Sequence, residues 1–154
     1  FSFIIPPFVA EDKEALEIFE SAMRSATESY EKLADVLKKN HTKRLGDGKK
    51  AEKLAIEDAR FVLPNSCDTK MIVTMNARAL LNFFKERMCN RAQWEIQALA
   101  FEMFRLVYKA APSVFEGAGP TCVKKACFEG KMSCGKQAEM KLRVKEITES
   151  GENV

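Results

Sequence analysis

Long runs of helically spaced apolar residues, set against one short β-branched run, predict an α+β chain, mainly helical with a short β-strand or small sheet. The helical runs lie between Ala15 and Leu37, Ala51 and Ala59, Leu80 and Phe84, and Ile96 and Ala111. The β-branched run is Thr69 to Met75, TKMIVTM. With 154 residues and 46% hydrophobic content, the chain is long enough for one domain with a real core.

Taken in order, Phe1, Phe3 and Ile5 alternate with Ser2 and Ile4 ahead of Pro6-Pro7, the pattern of a short edge strand that proline ends and that needs a partner. Asp12 can cap a helix from Lys13 to about Lys38, with Ala15, Ile18, Phe19, Ala22, Ala26, Leu33 and Leu37 on one face. Glu17, Arg24, Glu28 and Lys32 take the solvated face. Asn40 to Lys50, NHTKRLGDGKK, has two glycines and five basic residues counting His41, and reads as an exposed loop. A shorter helix from Lys50 to Phe61 buries Ala51, Leu54, Ala55 and Ala59, carries Arg60 in its last turn, and is stopped by Pro64.

Thr69 to Met75 suits a short buried strand whose end, Asn76, is a natural N-cap for the next helix. From Ala77 the apolar positions Leu80, Leu81, Phe83 and Phe84 recur at helical spacing, and Arg87 falls on the continuation of their stripe. A guanidinium there needs an anion or an acceptor. Arg78 and Asn82 are four apart and share another face close to the positive helix N-terminus. Arg60, Asn76, Arg78, Asn82 and Arg87 thus form a candidate wall for a polar planar or anionic ligand. The competing reading is ordinary: salt-bridging arginines, a helix cap and a solvated face.

After Gln93 comes the cleanest helix, with Ile96, Leu99, Ala100, Met103, Phe104, Val107 and Ala111 on one stripe and Pro112 as its end. Trp94, Phe101 and Tyr108 form a second stripe. A helix apolar on two sides packs on its own core and also on a neighbouring subunit, so an oligomer is expected. Gln93 and Glu95 read as parts of the helix start. From Glu116 the chain turns glycine-rich and polar, and the boundary of a tail is placed at residues 120–154. For Gln137 to Val154 a frayed helix, a β-ribbon and disorder all remain open.

The balance of 25 basic against 22 acidic residues gives +3, too little to argue for nucleic acid or a membrane surface, so any phosphate binding must be local. No run of 18 apolar residues exists and the start lacks a signal-peptide pattern, which makes a cytoplasmic protein the expectation. Five cysteines without a secretory signal argue against a disulfide framework. Cys122, Cys127 and Cys134 lack paired C-x2-C spacing and supply three thiolates where structural zinc takes four ligands. No metal site is assigned on that spacing, and Cys67 or Cys89 could complete a set only if the tail folds back. No dinucleotide or Walker glycine loop is present, and the single histidine, His41, has no triad partner. If the chain takes part in chemistry, a cofactor must carry it.

Four linked blocks point to a family. They are Ala59-Arg60-Phe61-Val62-Leu63-Pro64, then Thr74-Met75-Asn76-Ala77-Arg78-Ala79-Leu80-Leu81-Asn82-Phe83, then Arg87, then Ala92-Gln93-Trp94-Glu95-Ile96. In this order they resemble the C-terminal half of the flavin-dependent thymidylate synthases, and Phe1 to Phe8, FSFIIPPF, is similar to the connection between that family's halves. The resemblance therefore covers most of residues 1–119, the expected C-terminal portion of the synthase fold. It implies reductive methylation of dUMP to dTMP, with FAD as hydride carrier, NADPH as reductant, methylenetetrahydrofolate as one-carbon donor, and a homotetramer with shared sites. By resemblance Arg60 and Arg87 bind dUMP, with Arg87 also stabilising negative charge on the pyrimidine as the catalytic residue. Asn76, Arg78 and Asn82 bind FAD by resemblance, as donors to the polar edge of the flavin ring. For Arg91, folate contact and simple solvation of the helix entry stay open.

The family's Arg-His-Arg signature and its following Ser-x-Arg-Tyr segment have no match in the chain, so a C-terminal portion of a longer protein, inactive without its upstream half, is the expectation. Two rival readings remain. One is a non-catalytic helical oligomerisation and binding module; the other is a metal-tethered domain built on Cys122 to Cys134.

Overall fold

The computed structural model describes residues 2–151. Phe1, and residues 152–154 of the expected tail, lie outside the described residues. The chain is mainly helical and divides into two compact units, described here as residues 2–72 and 73–151.

The first unit is an αα-hairpin. Its elements are α1 (Pro7–Glu11), α2 (Lys13–Leu45) and α3 (Gly48–Ala59), followed by a 3₁₀ turn, Arg60–Val62. Asp12 caps α2 as its side chain predicts, accepting from the Ala15 N–H at 2.9 Å. The helix then runs well past the expected end, because the first residue that breaks it is Gly46. That glycine takes φ 68° and donates its N–H to the Thr42 carbonyl, a left-handed C-cap. The expected 40–50 loop is thus corrected to the two residues Gly46-Asp47 between α2 and α3. Asp47 caps α3 through Lys49 and Lys50 N–H groups at 3.0 and 3.2 Å. His41 accordingly stands on α2 rather than in a loop, half-buried, with Nε2 shielded from water and unpartnered among the described residues.

Ala51, Ala55 and Ala59 repeat at i, i+4 along α3 and are 0–1% exposed, so the small residues let α3 lie close against α2. Lys38 of α2 reaches Glu52 of α3 at 3.0 Å. The edge strand expected at the N-terminus is reduced to one antiparallel bridge, Phe3 to Cys67, flanked by Ile4 N–H to Ser66 O (2.8 Å) and Asp68 N–H to Ser2 O (3.0 Å). Phe3 packs edge-on against Phe19 at 5.9 Å.

Thr69 to Met75 does not form the expected strand among the described residues. Met71, Ile72 and Val73 are 80, 101 and 58% exposed, not buried. A β-branched run becomes a strand only when a second edge accepts its backbone groups, and no described segment pairs with it.

The second unit contains α4 (Ala77–Arg87), α5 (Trp94–Ala110), α6 (Pro112–Phe115), α7 (Thr121–Lys124), a 3₁₀ turn Gly130–Met132, and α8 (Gln137–Gly151). Its core joins Phe84 and Met88, Ala100, Phe101, Phe104 and Tyr108, Phe115 and Ala118, and Met140 and Val144. The rings of Phe84 and Phe104 meet at 5.5 Å, Phe84 and Phe115 at 6.0 Å, and Phe104 and Tyr108 at 5.6 Å. The question left open for 137–154 is answered over its described part: α8 is a helix, and Met140 and Val144, four apart, are 4% exposed within this core. The Arg143 guanidinium lies 3.6 Å from the centre of the Phe101 ring.

Of the two stripes expected on α5, Ala100 and Phe104 from the first and Phe101 and Tyr108 from the second are buried. Leu99 and Leu106 remain more than half exposed. Gln93 caps the helix, its Oε1 accepting from Glu95 and Ile96 N–H groups at 2.9 and 3.2 Å. No helix among the described residues is long and apolar enough to cross a membrane.

Candidate functional site

Helix α4 carries four of the five residues singled out in the sequence. Asn76 is its N-cap, with φ −79°, ψ 163° and Oδ1 accepting from the Ala79 N–H at 2.9 Å. The cap uses the carbonyl oxygen, which leaves the amide NH₂ of Asn76 to donate elsewhere. Arg78 and Asn82 follow on the exposed face, and neither side chain has a hydrogen bond or ion pair among the described residues. One turn of helix therefore offers an amide and a guanidinium to solvent at its positive end.

Arg87 is the last residue of α4 and is exposed, not part of the buried stripe. The seam instead runs Leu80, Phe84, Met88 at i, i+4, with Phe84 and Met88 fully buried, and Arg87 lies beside it. That position puts Arg87 on the wall of an open cleft of about 430 Å³, with Lys85, Arg91, Cys89, Thr121 and Phe128 also on the wall. The other two cations are already engaged. Lys85 pairs with Glu86 at 3.3 Å and sits 5.9 Å from the Phe128 ring; Arg91 pairs with Glu129. Arg87 has no acidic partner among the described residues, so it is the cleft's uncommitted cation. Arg91 is thereby tied to the loop after α7.

Arg78 and Arg87 are nine residues apart on α4, which is about 14 Å along the axis. That distance is too great for the two to grip one small group together. Arg60 belongs to the first unit, where it opens the 3₁₀ turn after α3, exposed and without an ion pair among the described residues.

Two glutamines that sequence reasoning passed over hold the cleft in shape. Gln97 donates from Nε2 to the Met88 carbonyl (3.3 Å) and Asn90 Oδ1 (3.0 Å), fixing the α4–α5 junction. Gln137 donates from Nε2 to the Cys122 and Lys125 carbonyls at 2.8 and 3.0 Å. Both are half-buried amides near otherwise orphaned carbonyls, and only their place in the first turn of a helix, Gln97 in α5 and Gln137 at the start of α8, hinted at it. All five cysteines are free thiols. Burial, then the neighbouring Cys127, Cys89 and Cys134, push the Cys122 thiol above its ordinary pKa.

Helix α4 thus presents unpaired donor side chains near its capped start and, at its end, an unpaired guanidinium on a cleft wall, an arrangement suited to polar or anionic ligands. Residues 2–113 match the family described as thymidylate synthase complementing protein, and the chain belongs to that family. The chain is 52% identical to the flavin-dependent thymidylate synthase of Clostridium tetani over 141 residues, covering 92% of this chain and 57% of that protein. It is 47% identical to the enzyme of the same name from Geobacter sulfurreducens over 145 residues, covering 94% and 56%. With the Sulfurisphaera tokodaii enzyme it shares 45% over 120 residues, covering 78% and 40%. The chain thus spans about half the length of the curated relatives it matches.

Proposed function

We propose that the chain is the C-terminal part of a flavin-dependent thymidylate synthase, which converts dUMP to dTMP. The observation that carries this reading is the unpaired Arg87 on the cleft wall, in a chain half-identical to enzymes of that name. In this reading Arg87 binds dUMP and holds negative charge that develops on the pyrimidine. Arg60 supplies a second cation for the nucleotide. Residues 1–119 form the C-terminal portion of the synthase domain and residues 120–154 a cysteine-containing polar tail.

The donor set of α4 fits a flavin. Asn76 keeps its amide NH₂ free while its oxygen caps the helix, and Arg78 and Asn82 point no bond at any described residue. These three would hold FAD by its polar edge and bias its electronics through donated hydrogen bonds. FAD, when bound, supplies the hydride that originates in NADPH, while methylenetetrahydrofolate supplies the carbon. The protein's share is positioning and electrostatics.

Thr69 to Met75 is read as a strand that pairs once a second edge is supplied, by another part of the protein or another subunit. A homotetramer in the cytoplasm completes the reading, supported by the outward Leu99 and Leu106 of α5. The same two leucines favour one other reading, a non-catalytic oligomerisation module. Titration with FAD, with and without dUMP, separates the two. The synthase reading expects a flavin spectral shift that dUMP sharpens and Arg87→Ala blunts; the module reading expects assembly with no shift.

A further inference from the structure

Four of the five cysteines meet at one place. Cys89 comes from the α4–α5 junction, Cys122 from α7, and Cys127 and Cys134 from the loop before α8, yet all four line one cavity of about 20 Å³. A space of that size holds a single water or ion. Only Cys67, in the first unit, is left out.

The surrounding chain is held by few contacts: only Cys122 and Val123 of this stretch pack, partly buried, against the core. From Thr121 to Lys136 no residue is buried, and Phe128 and Met132 are 73 and 65% exposed. The stretch contains only a four-residue helix and one 3₁₀ turn. Its fastenings include the Arg91–Glu129 pair, the Gln137 bonds to the Cys122 and Lys125 carbonyls, Lys124 Nζ donating to the Glu116 carbonyl, and Lys85 beside the Phe128 ring. Gly130 and Gly135, at φ 50° and 72°, turn the backbone so that Cys127 and Cys134 come back to the same cavity. Small segments without a core are commonly secured by a structural metal.

We propose that Cys89, Cys122, Cys127 and Cys134 are the four ligands of one structural zinc ion, which fastens the 120–136 segment to the α4–α5 junction. Four thiolates are the donor set that zinc takes in tetrahedral structural sites. Such a centre carries two surplus negative charges; Arg91, which also pairs with Glu129 on the same wall, and Lys124, Lys125, Lys131 and Lys136 along the same stretch supply nearby positive charge. Among the described residues no three donors already stand in ligand geometry, so the thiols lose their protons and turn inward as the ion enters. Cys89, Cys122 and Cys127 also line the cleft that holds Arg87, so the ion shapes that wall without contacting a substrate. The site is independent of the synthase reading.

The test uses the whole chain, reduced, stripped with a chelator, and titrated without oxygen with Zn²⁺ or Co²⁺. The expected result is one ion per chain, with the charge-transfer and ligand-field bands of tetrahedral cobalt thiolate. Alkylation followed by intact mass should give five adducts without metal and no more than one, at Cys67, with zinc. Cys134→Ser is the informative variant, because Cys134 is exposed and its loss leaves the metal-free fold, checked by circular dichroism, unchanged. It should weaken zinc by at least the about 10- to 100-fold typical of losing an outer partner. Cys67→Ser should bind like the parent chain. A folded, fully reduced chain that takes up no stoichiometric metal overturns the proposal. So does an equal loss in Cys67→Ser, or disulfide formation among the four thiols in place of metal binding under mild oxidation with zinc present.

Discussion

Replacing Met140 with alanine asks whether α8 belongs to the folded core or merely trails from it. Met140 is 4% exposed and shares a cluster with Phe84, Phe104 and Val144. Truncating a buried methionine to alanine costs about 2–5 kcal/mol, the removed transfer energy plus the cavity left behind. For a chain of 154 residues, at about 2–4 °C per kcal/mol, that is a drop of about 4–20 °C in Tm. The control lies two residues away: Leu142, on the same helix, is 58% exposed, and Leu142→Ala should change stability by less than about 1 kcal/mol. Both substitutions bring in alanine, so helix propensity does not explain a difference between them. Urea denaturation followed by fluorescence of the single tryptophan, Trp94 of α5, reads the second unit selectively. Equal, small effects for both variants would refute the assignment of α8 to the core.

Three further outcomes follow from the same structure. Asn76→Ala removes the α4 cap and should destabilise the second unit by about 1 kcal/mol, measured in the same urea experiment. Gln137→Ala strips two carbonyls of their donor and should cost about 1–3 kcal/mol, with faster amide exchange across residues 121–136 as the local sign. Arg87→Ala should leave the unfolding midpoint unchanged, since Arg87 is exposed and unpaired among the described residues, while weakening dUMP about 10- to 150-fold by calorimetry.

Where local rules suffice, the chain could be read directly from its residues. Asp12, Asn76 and Gln93 cap the helices that follow them, and Pro112 closes α5, because caps and breakers act within one turn. The 40–50 region reads as a loop because its residues are polar and basic, although none of Asn40 to Leu45 breaks a helix and only Gly46 does. The Thr69–Met75 strand depended on a pairing edge that propensity alone does not provide. Arg87 was placed on the apolar stripe by its spacing from Phe84 and Leu80. The buried seam follows i, i+4 to Met88 instead, and the arginine is left on the cleft wall. The tail was illegible for a different reason. Among the described residues of α8, Met140 and Val144 are the buried apolar ones, and their partners Phe84 and Phe104 are dozens of residues away.

The functional reading is tested most directly by a chimaera. The 141-residue stretch of the Clostridium tetani enzyme that aligns with this chain is replaced by the chain, and dTMP formation from dUMP is measured with FAD, NADPH and methylenetetrahydrofolate. The synthase reading predicts a flavin-loaded chimaera that forms dTMP, with turnover sharply reduced by Arg87→Ala and flavin lost on combining Arg78→Ala with Asn82→Ala. A folded chimaera that binds flavin and dUMP yet forms dTMP equally well with and without Arg87 would contradict the role assigned to that residue. One that folds and assembles but binds neither ligand would contradict the synthase reading as a whole.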